Sequence, residues 1–273
     1  MKRIWLLSAL VLLLATACEL DSFLFDNKEI SEYKLPGNTI DESLLHPVTF
    51  ESNGNTLYGY WVESESGRGL TLLYCHGNKN NIDEYWDRVM FLHDLDVNVF
   101  IFDYRGYGLS EGASSEQGLY EDGTAALSCL RTEYHIPDDS LCLYGYSLGN
   151  VVSIYLAAEK VNPLCLFAES PFASANSLTQ AGLFLDIPAG WLTEGDFDNA
   201  ERIKKIHTPF LLMHGEQDDF VRYKDNGRIV YENAPEPKKL VLVSKANHTD
   251  VPQTLGLDTY RALLLEWIGT HID

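Results

Sequence analysis

The chain has 273 residues and 45% of them are hydrophobic, which fits one folded catalytic domain after a short leader and excludes large-scale disorder. The formal net charge is -20, so the folded surface repels phosphate backbones and anionic lipid headgroups. We therefore expect no nucleic-acid partner.

The first residues have the pattern of a targeting leader. Lys2 and Arg3 form a basic start, and residues 4–14 form an apolar run too short to span a bilayer comfortably. Small residues then lead to Cys18 in the order Ala-Thr-Ala-Cys. The alternative to a lipid-modified leader is an ordinary secretory leader with an incidental cysteine.

This segment resembles a bacterial lipoprotein signal, in which the cysteine is acylated and the chain is cut before it. Ala15 departs from the pattern, since leucine is commoner there. The resemblance implies a signal peptide at 1–17 and a lipid anchor on Cys18. It also implies a location in the cell envelope, on the extracytoplasmic side of a bacterial membrane, with the anchor as the only membrane contact.

Four further cysteines lie in apolar runs and show no CxxC spacing. We expect them to be buried as small hydrophobic side chains, and the sequence assigns no disulfide. They are Cys75, Cys129, Cys142 and Cys165.

Residues 18–45 are polar and mixed, and we interpret them as a tether and lead-in segment before a catalytic domain at 46–273. Two extended runs, 46–51 and 56–63, flank the sequence Asn-Gly-Asn, which predicts a β-hairpin.

Apolar runs of strand length then alternate with helix-length segments. Continuous apolar strands separated by helices predict an α/β fold with a mostly parallel sheet covered on both faces. The predicted strands are 69–75, 97–102, 140–145, 163–168, 209–214 and 239–243, and the predicted helices are 82–93, 115–134, 148–160, 222–232 and 252–269.

Residues 172–199 interrupt this alternation with an apolar and aromatic segment. Long insertions in compact domains are often functional, so we predict a small lid over a pocket. The alternative is an excursion packed on the edge of the sheet.

A GxSxG motif, Gly145 to Gly149, follows a predicted buried strand and precedes a predicted helix. In this context the serine sits on a sharp, strained turn, and small flanking residues let strand and helix approach closely. The motif alone is weak evidence, but its position predicts that Ser147 is a nucleophile.

A base and an acid must follow the serine in the order acid, then histidine. Asp218 and Asp219 follow one predicted strand, and His248 follows the next. Loops at the carboxyl ends of parallel strands build the sites of open α/β sheets. We predict His248 as the base and one of the two aspartates as the residue that orients it.

An oxyanion needs two backbone donors. One is expected from Leu148, directly after the nucleophile, and the other from Asn78 in the His-Gly-Asn loop. The alternative for that loop is a plain strand-to-helix turn.

Several stretches resemble the α/β-hydrolase superfamily, near its Bem46-like, ABHD17-like and serine-aminopeptidase-like (S33) branch. The resemblance covers about residues 45–270 and implies hydrolysis of esters, thioesters or amides without a cofactor. It favours Asp218 over Asp219 as the acid, although Ala-Asn-His before His248 departs from the family's usual Gly-His. The stretches are YCHGN (74–78), FDYRGYGLSEG (102–112), GYSLG (145–149), ESPF (169–172) and HGEQDDFV (214–221).

Two other interpretations fail on the sequence. The stretch at 102–112 has Glu111 where a dinucleotide fingerprint needs its third glycine. The resemblance instead implies that Arg105 and Tyr107 pack near the site. No metal-binding motif is present, so we expect no catalytic metal.

The resulting prediction is a serine hydrolase that cleaves a carboxylic ester or thioester, with a small acyl substrate as partner. Amide hydrolysis uses the same machinery and stays an alternative. A lipid-anchored binding protein that has the same fold but no catalytic activity is a further alternative. The sequence leaves the oligomeric state open.

Overall fold

A computed structural model describes residues 25–67, 69–182 and 196–272 of the chain. The predicted signal peptide at 1–17 and the predicted anchor Cys18 lie outside the described residues. No helix in the described ranges combines the length and the apolar character needed to cross a bilayer.

The described residues form one large sheet of eight strands and a small sheet of two. The strands are β1 (Asp26–Asn27), β2 (Leu45–Ser52), β3 (Asn55–Val62), β4 (Thr71–Cys75), β5 (Lys79–Asn80), β6 (Asn98–Phe102), β7 (Leu141–Tyr146), β8 (Cys165–Glu169), β9 (Phe210–Gly215) and β10 (Lys238–Val243). The large sheet has the order β10-β9-β8-β7-β4-β6-β3-β2, and its strands from β10 to β6 are parallel.

The predicted hairpin is present as an antiparallel pair of β2 and β3, in register from Leu45 opposite Val62 to Ser52 opposite Asn55. Its two-residue turn has positive φ at Asn53 and Gly54, +49° and +86°. Two positive φ values give the backbone twist that matches flanking strands, and Asn-Gly tolerates them well.

Helices cover both faces of the sheet. They are α1 (Trp86–His93), α2 (Glu116–Thr132), α3 (Gly149–Glu159), α4 (Ala175–Gly182), α5 (Asn199–Arg202), α6 (Gly227–Asn233), α7 (Val251–Leu255) and α8 (Leu257–His271).

Three predicted helices need correction. The helix expected over 82–93 begins as a 3₁₀ turn at Ile82–Tyr85 and becomes α-helical only in α1. The helix expected over 252–269 is two helices, because Gly256 at φ +91° interrupts it between α7 and α8. The helix expected over 222–232 begins as a 3₁₀ turn at Tyr223–Asp225 and becomes α-helical only in α6.

The core has two halves, one on each face of the sheet. Successive residues of a strand point to opposite faces, so Leu73 and Phe100 pack in one half while Tyr74 and Ile101 pack in the other. Strands β4 and β6 to β9 are buried along their whole length, which explains their unbroken apolar runs. The four described cysteines are buried, as expected, and all four are free thiols.

The predicted lid is described only at its two ends. Phe172 and Phe197 are buried in the core, and the amide of Ala175 donates to the carbonyl of Asp196 at 3.0 Å. The two ends of the excursion are therefore fixed next to each other. Residues 183–195 lie outside the described ranges, so the lid stays a prediction.

Candidate active site

Four loops carry the predicted site residues, and each follows the carboxyl end of a parallel strand. His76 to Asn78 follow β4, Ser147 follows β7, Asp218 follows β9 and His248 follows β10. Because these strands run in the same direction, their carboxyl ends share one edge of the sheet. The loops therefore meet there.

Ser147 occupies a sharp turn between β7 and α3. Its φ is +50°, in the left-handed region that costs a non-glycine residue roughly 1–3 kcal/mol. A Cβ added to Gly149 would lie 1.9 Å from the carbonyl oxygen of Cys75, and one on Gly145 would lie 2.3 Å from the hydroxyl of Ser153. Only glycine fits at these two positions, which is the steric requirement of the motif.

The turn is held by the neighbouring strand. The amide of Ser147 donates to the carbonyl of Glu169 at 3.0 Å, and the side-chain amide of Asn150 donates to the same carbonyl at 2.9 Å. These bonds offset part of the strain and fix the direction of the serine side chain.

Ser147, His248 and Asp218 form a hydrogen-bonded chain. His248 Nδ1 lies 2.7 Å from Asp218 Oδ2, and its Nε2 lies 2.9 Å from Ser147 Oγ. A carboxylate only accepts, so Nδ1 carries the hydrogen and a neutral ring presents Nε2 as an acceptor to the serine hydroxyl. Of the two candidate acids, the structure brings Asp218 to the histidine, whereas Asp219 is exposed.

The Asp218 carboxylate is buried, but several hydrogen-bond donors surround it. Its Oδ1 accepts from the amides of Phe220 and Val221 at 3.1 and 2.7 Å, and His214 Nε2 lies 3.3 Å from Oδ2. Burial raises the pKa of Asp218, but hydrogen bonding from His214 and His248 outweighs burial and holds the pKa well below its usual value. The group is therefore ionised at neutral pH.

The predicted oxyanion loop passes beside the serine. A Cβ on Gly77 would lie 2.8 Å from the hydroxyl of Tyr85 and 3.1 Å from the ring of Tyr146, so glycine is required for this close approach. Asn78 and Ser147 line the same cavity. Leu148 is the N-cap residue of α3, where backbone amides have no partner within the helix.

Comparison with known proteins identifies the family to which the chain belongs. A model of the family described as serine aminopeptidase, S33, matches residues 68–184. The uncharacterised protein Rv2307c of Mycobacterium tuberculosis is 34% identical over 213 residues, covering 76% of this chain and 74% of that protein. The chain belongs to the α/β-hydrolase superfamily, in one family with Rv2307c.

Other relatives and solved structures agree with this assignment. The uncharacterised protein YfhR of Escherichia coli K12 is 29% identical over 224 residues, 79% of this chain and 77% of that protein. A Pyrococcus furiosus esterase, Pf2001, superposes with a TM-score of 0.74 at 19% identity, covering 91% of this chain and 98% of the esterase. The esterase domain of a Rhodothermus marinus protein gives 0.63 at 19% identity, covering 84% and 100%. At this identity the structures show the shared fold. The predicted α/β-hydrolase fold is thus confirmed, and the finer Bem46-like or ABHD17-like branch stays a prediction.

The serine of this α/β-hydrolase opens onto a cavity of about 740 Å³. Its lining is partly aromatic, from Tyr85, Tyr146 and Phe220, and strongly acidic. The acidic residues are Asp26, Glu84, Asp87, Asp219 and Asp250. Each of the two basic residues among the described lining residues already has a carboxylate partner: Lys79 pairs with Glu84, which lines the same cavity, at 2.5 Å, and Arg88 pairs with buried Glu169.

The hydrolase also has site residues that the sequence reasoning missed. Tyr146 donates to the carbonyl of His248 at 3.3 Å, and Arg88 lies 4.2 Å over the Tyr146 ring while pairing with buried Glu169. His214 precedes the acid in sequence, where the order of the motif expects no base, yet it contacts that acid. Both Glu169 and His214 stand inside motifs quoted above, and that position was the available signal.

One expectation about the loop at 102–112 is only half right. The hydroxyl of Tyr107 donates to Asn78 Oδ1 at 2.6 Å, so Tyr107 does pack against the site. Arg105 instead pairs with Asp122 and Glu121, at 2.7 and 2.8 Å, because buried Asp122 needs a cationic partner. Among the described side chains, no group of three or more His, Cys, Asp or Glu residues is arranged to hold a metal ion.

Proposed function

We propose that this chain is a serine hydrolase that cleaves a carboxylic ester or thioester through an acyl-enzyme intermediate. The proposal depends chiefly on one observation, the 2.9 Å contact between Ser147 Oγ and the nitrogen of His248 whose opposite nitrogen is bonded to Asp218. Membership of the superfamily supports a hydrolase independently of that geometry.

In the proposed reaction, Ser147 Oγ attacks the substrate carbonyl carbon while its proton passes to His248 Nε2. Charge then develops on the carbonyl oxygen, where the amides of Asn78 and Leu148 donate to it. The ester or thioester bond breaks, the leaving group takes the proton from His248, and the acyl group stays on Ser147. Water, deprotonated by His248, releases the acid.

The aromatic cavity lining favours a substrate with an apolar part. Phe220 is 63% exposed and lies with its ring 5.1 Å from that of His248, next to the place where the acyl group binds in this proposal. The acidic lining disfavours anionic substrates, because their charge would meet several carboxylates in a partly desolvated cleft.

Amide hydrolysis is the second candidate, and the acidic lining is the observation that favours it. A peptide with a free amino group would be attracted to the carboxylates of Asp26, Asp219 and Asp250 around the serine. The match to a family described as serine aminopeptidase points the same way.

The first experiment is labelling of the purified chain lacking residues 1–18 with a fluorophosphonate. We expect labelling that is lost in Ser147→Ala and falls sharply in His248→Ala. Ser128→Ala is the matched control, because Ser128 is exposed on α2. Unlabelled parent protein with a folded circular-dichroism spectrum would contradict the proposal and favour a binding protein on the same fold.

A second experiment separates the two substrate classes. We expect p-nitrophenyl esters to be turned over faster than aminoacyl anilides, with the rate depending on acyl chain length. Anilides turned over faster than every ester would reverse the choice in favour of the amidase.

We also propose that Cys18 is acylated and that the mature chain is attached to an envelope membrane. The support is the leader pattern alone. Processing should be blocked by globomycin, and Cys18→Ala should release the protein from the membrane fraction. A wild-type chain that stays soluble would refute the anchor.

A further inference from the structure

Residues 25–33, here called the N-terminal strap, run along the oxyanion loop. Strand β1 in the strap pairs in parallel with β5, so that Asp26 lies opposite Lys79 and Asn27 opposite Asn80. The amide of Asp26 also donates to the side-chain oxygen of Asn78 at 3.3 Å. The backbone of the strap is thus bonded to the residues that immediately follow Gly77.

The strap is bonded to the next loop as well. The amide of Ile30 donates to the carbonyl of Gly108, and the amide of Gly108 donates to the carbonyl of Lys28, both at 3.0 Å. The side-chain amide of Asn27 donates to the carbonyl of Gly106 at 2.8 Å. The strap therefore joins the oxyanion loop to the loop that carries Tyr107.

At the end of the strap, Tyr33 binds a buried ionisable pair. Its hydroxyl donates to Asp103 Oδ2 at 2.6 Å, and the other oxygen of Asp103 lies 3.1 Å from His76 Nε2. Asp103 and His76 are both fully buried. Burial beside Asp103 raises the pKa of Tyr33, so its hydroxyl stays protonated and available to donate.

His76 is the first residue of the oxyanion loop, and its ring and its carbonyl both contact neighbouring residues. Its Nδ1 lies 2.7 Å from the carbonyl of Gly77, and its own carbonyl accepts from the hydroxyl of Tyr104 at 2.9 Å. One residue past Asn78, the amide of Lys79 donates to the hydroxyl of Tyr85 at 2.8 Å. The orientation of the peptide between Gly77 and Asn78 therefore depends on where the His76 ring sits.

We propose that the strap is a working part of the active site and that Tyr33 is a positioning residue for the oxyanion donor. Acting through Asp103 and His76, Tyr33 fixes the direction of the Asn78 amide. The inference rests on the proposed function, since it assigns a role toward the same oxyanion. It makes the segment that precedes the catalytic domain in sequence a component of that domain's chemistry.

The test uses Tyr33→Phe, which keeps the ring and removes the donor to Asp103. We expect kcat and the fluorophosphonate labelling rate to fall together by about tenfold, less than the 10²–10³ that loss of a whole oxyanion donor costs. KM should change by less than about twofold, because the donor acts on the transition state. The matched control is Tyr60→Phe, whose ring packs against that of Tyr33 at 5.7 Å.

If Tyr33 had only a structural role, Tyr33→Phe would have a lower free energy of unfolding, but its kcat per labelled Ser147 would stay within about twofold of the parent. That result would overturn the inference.

If Tyr33→Phe does not fold, exposed Asp26 offers a second test. Asp26→Pro lacks the amide that donates to Asn78, while Asp26→Ala keeps it. We expect Asp26→Pro to react severalfold more slowly than Asp26→Ala, and equal rates overturn the inference. A parent that never reacts with the phosphonate refutes the proposed function itself, so the two failures are distinguishable.

Discussion

The orientation of His248 depends on one carboxylate. With Asp218 ionised and bonded to Nδ1, the neutral ring offers Nε2 to Ser147. In Asp218→Asn the amide would favour the opposite tautomer, so kcat should fall about 10³- to 10⁴-fold with little change in KM. Steady-state kinetics with a p-nitrophenyl ester measure this. Asp219→Asn should lose far less, and equal losses in the two variants would contradict the assignment of the acid.

The same carboxylate makes folding sensitive to acid. Its folded pKa lies below the ordinary value of about 4, so ionised Asp218 contributes stability that is present above about pH 4. That contribution fades as the pH falls from there toward the lower folded pKa. The difference in free energy of unfolding between parent and Asp218→Asn should therefore be larger at about pH 5 than at about pH 3. Urea denaturation at the two pH values measures it, and a difference that grows on acidification would contradict the prediction.

Phe220 is an exposed aromatic residue in the described part of the chain, and its ring lies beside that of His248. Its loop is fixed because Asp218 accepts from its amide, while its ring stays 63% exposed at the cavity. In Phe220→Ala we expect KM for a hexanoate ester to rise about fivefold, on the order of 1 kcal/mol of lost apolar contact. KM for the acetate ester serves as the control and should change little. An equal change for both esters would mean that Phe220 does not contact the acyl chain.

The turn between β7 and α3 permits almost no added volume. A Cβ on Gly149 would collide with the backbone of β4, which cannot move without disturbing the centre of the sheet. Gly149→Ala should cost more than about 3 kcal/mol of stability or prevent folding. Gly269 in α8 is exposed and has open space around it, so Gly269→Ala should instead stabilise the chain by about 0.5–1 kcal/mol. Urea denaturation of both variants tests the contrast, and two similar effects would contradict it.

The strands of the large sheet could be predicted because their burial determines their amino-acid composition. Strands such as β4 and β7 are covered on both faces, so nearly every residue is apolar and the runs are distinct. Strands β1 and β5 have only two residues each and are largely exposed, so they leave no apolar pattern. The break at Gly256 was missed because an isolated glycine is often tolerated within a helix.

The residues of the candidate site likewise fall into those that the sequence predicts and those that it does not. Ser147 and His248 follow predictable strands, so the topology alone brings them to one edge of the sheet. Tyr33 reaches the site from a polar segment with no periodicity, and its partner Asp103 is 70 positions away in sequence. Such long-range polar contacts depend on how loops pack, which no local pattern records.

The N-terminal strap limits how far the active site can lie from the proposed lipid anchor. Cys18 and Asp26 are eight residues apart, a distance of at most about 28 Å for an extended chain. Asp26 also lines the cavity of Ser147. The lipidated chain on vesicles should therefore hydrolyse a neutral ester dissolved in the same membrane faster than Cys18→Ala does, with equal rates on a water-soluble ester. If the lipidated chain and Cys18→Ala hydrolysed the membrane-dissolved ester at equal rates as well, anchoring would not direct the site to the membrane.

In the proposed reaction one serine hydroxyl carries the acyl group, and acid-quench mass spectrometry can detect that group on its peptide. The parent chain is mixed with a p-nitrophenyl ester, quenched within the first turnover and digested. We predict up to one acyl group per chain, on the peptide that contains Ser147, together with a burst of p-nitrophenol of the same size. Turnover with no acylated peptide, or with the acyl group on another residue, would show that Ser147 is not the nucleophile.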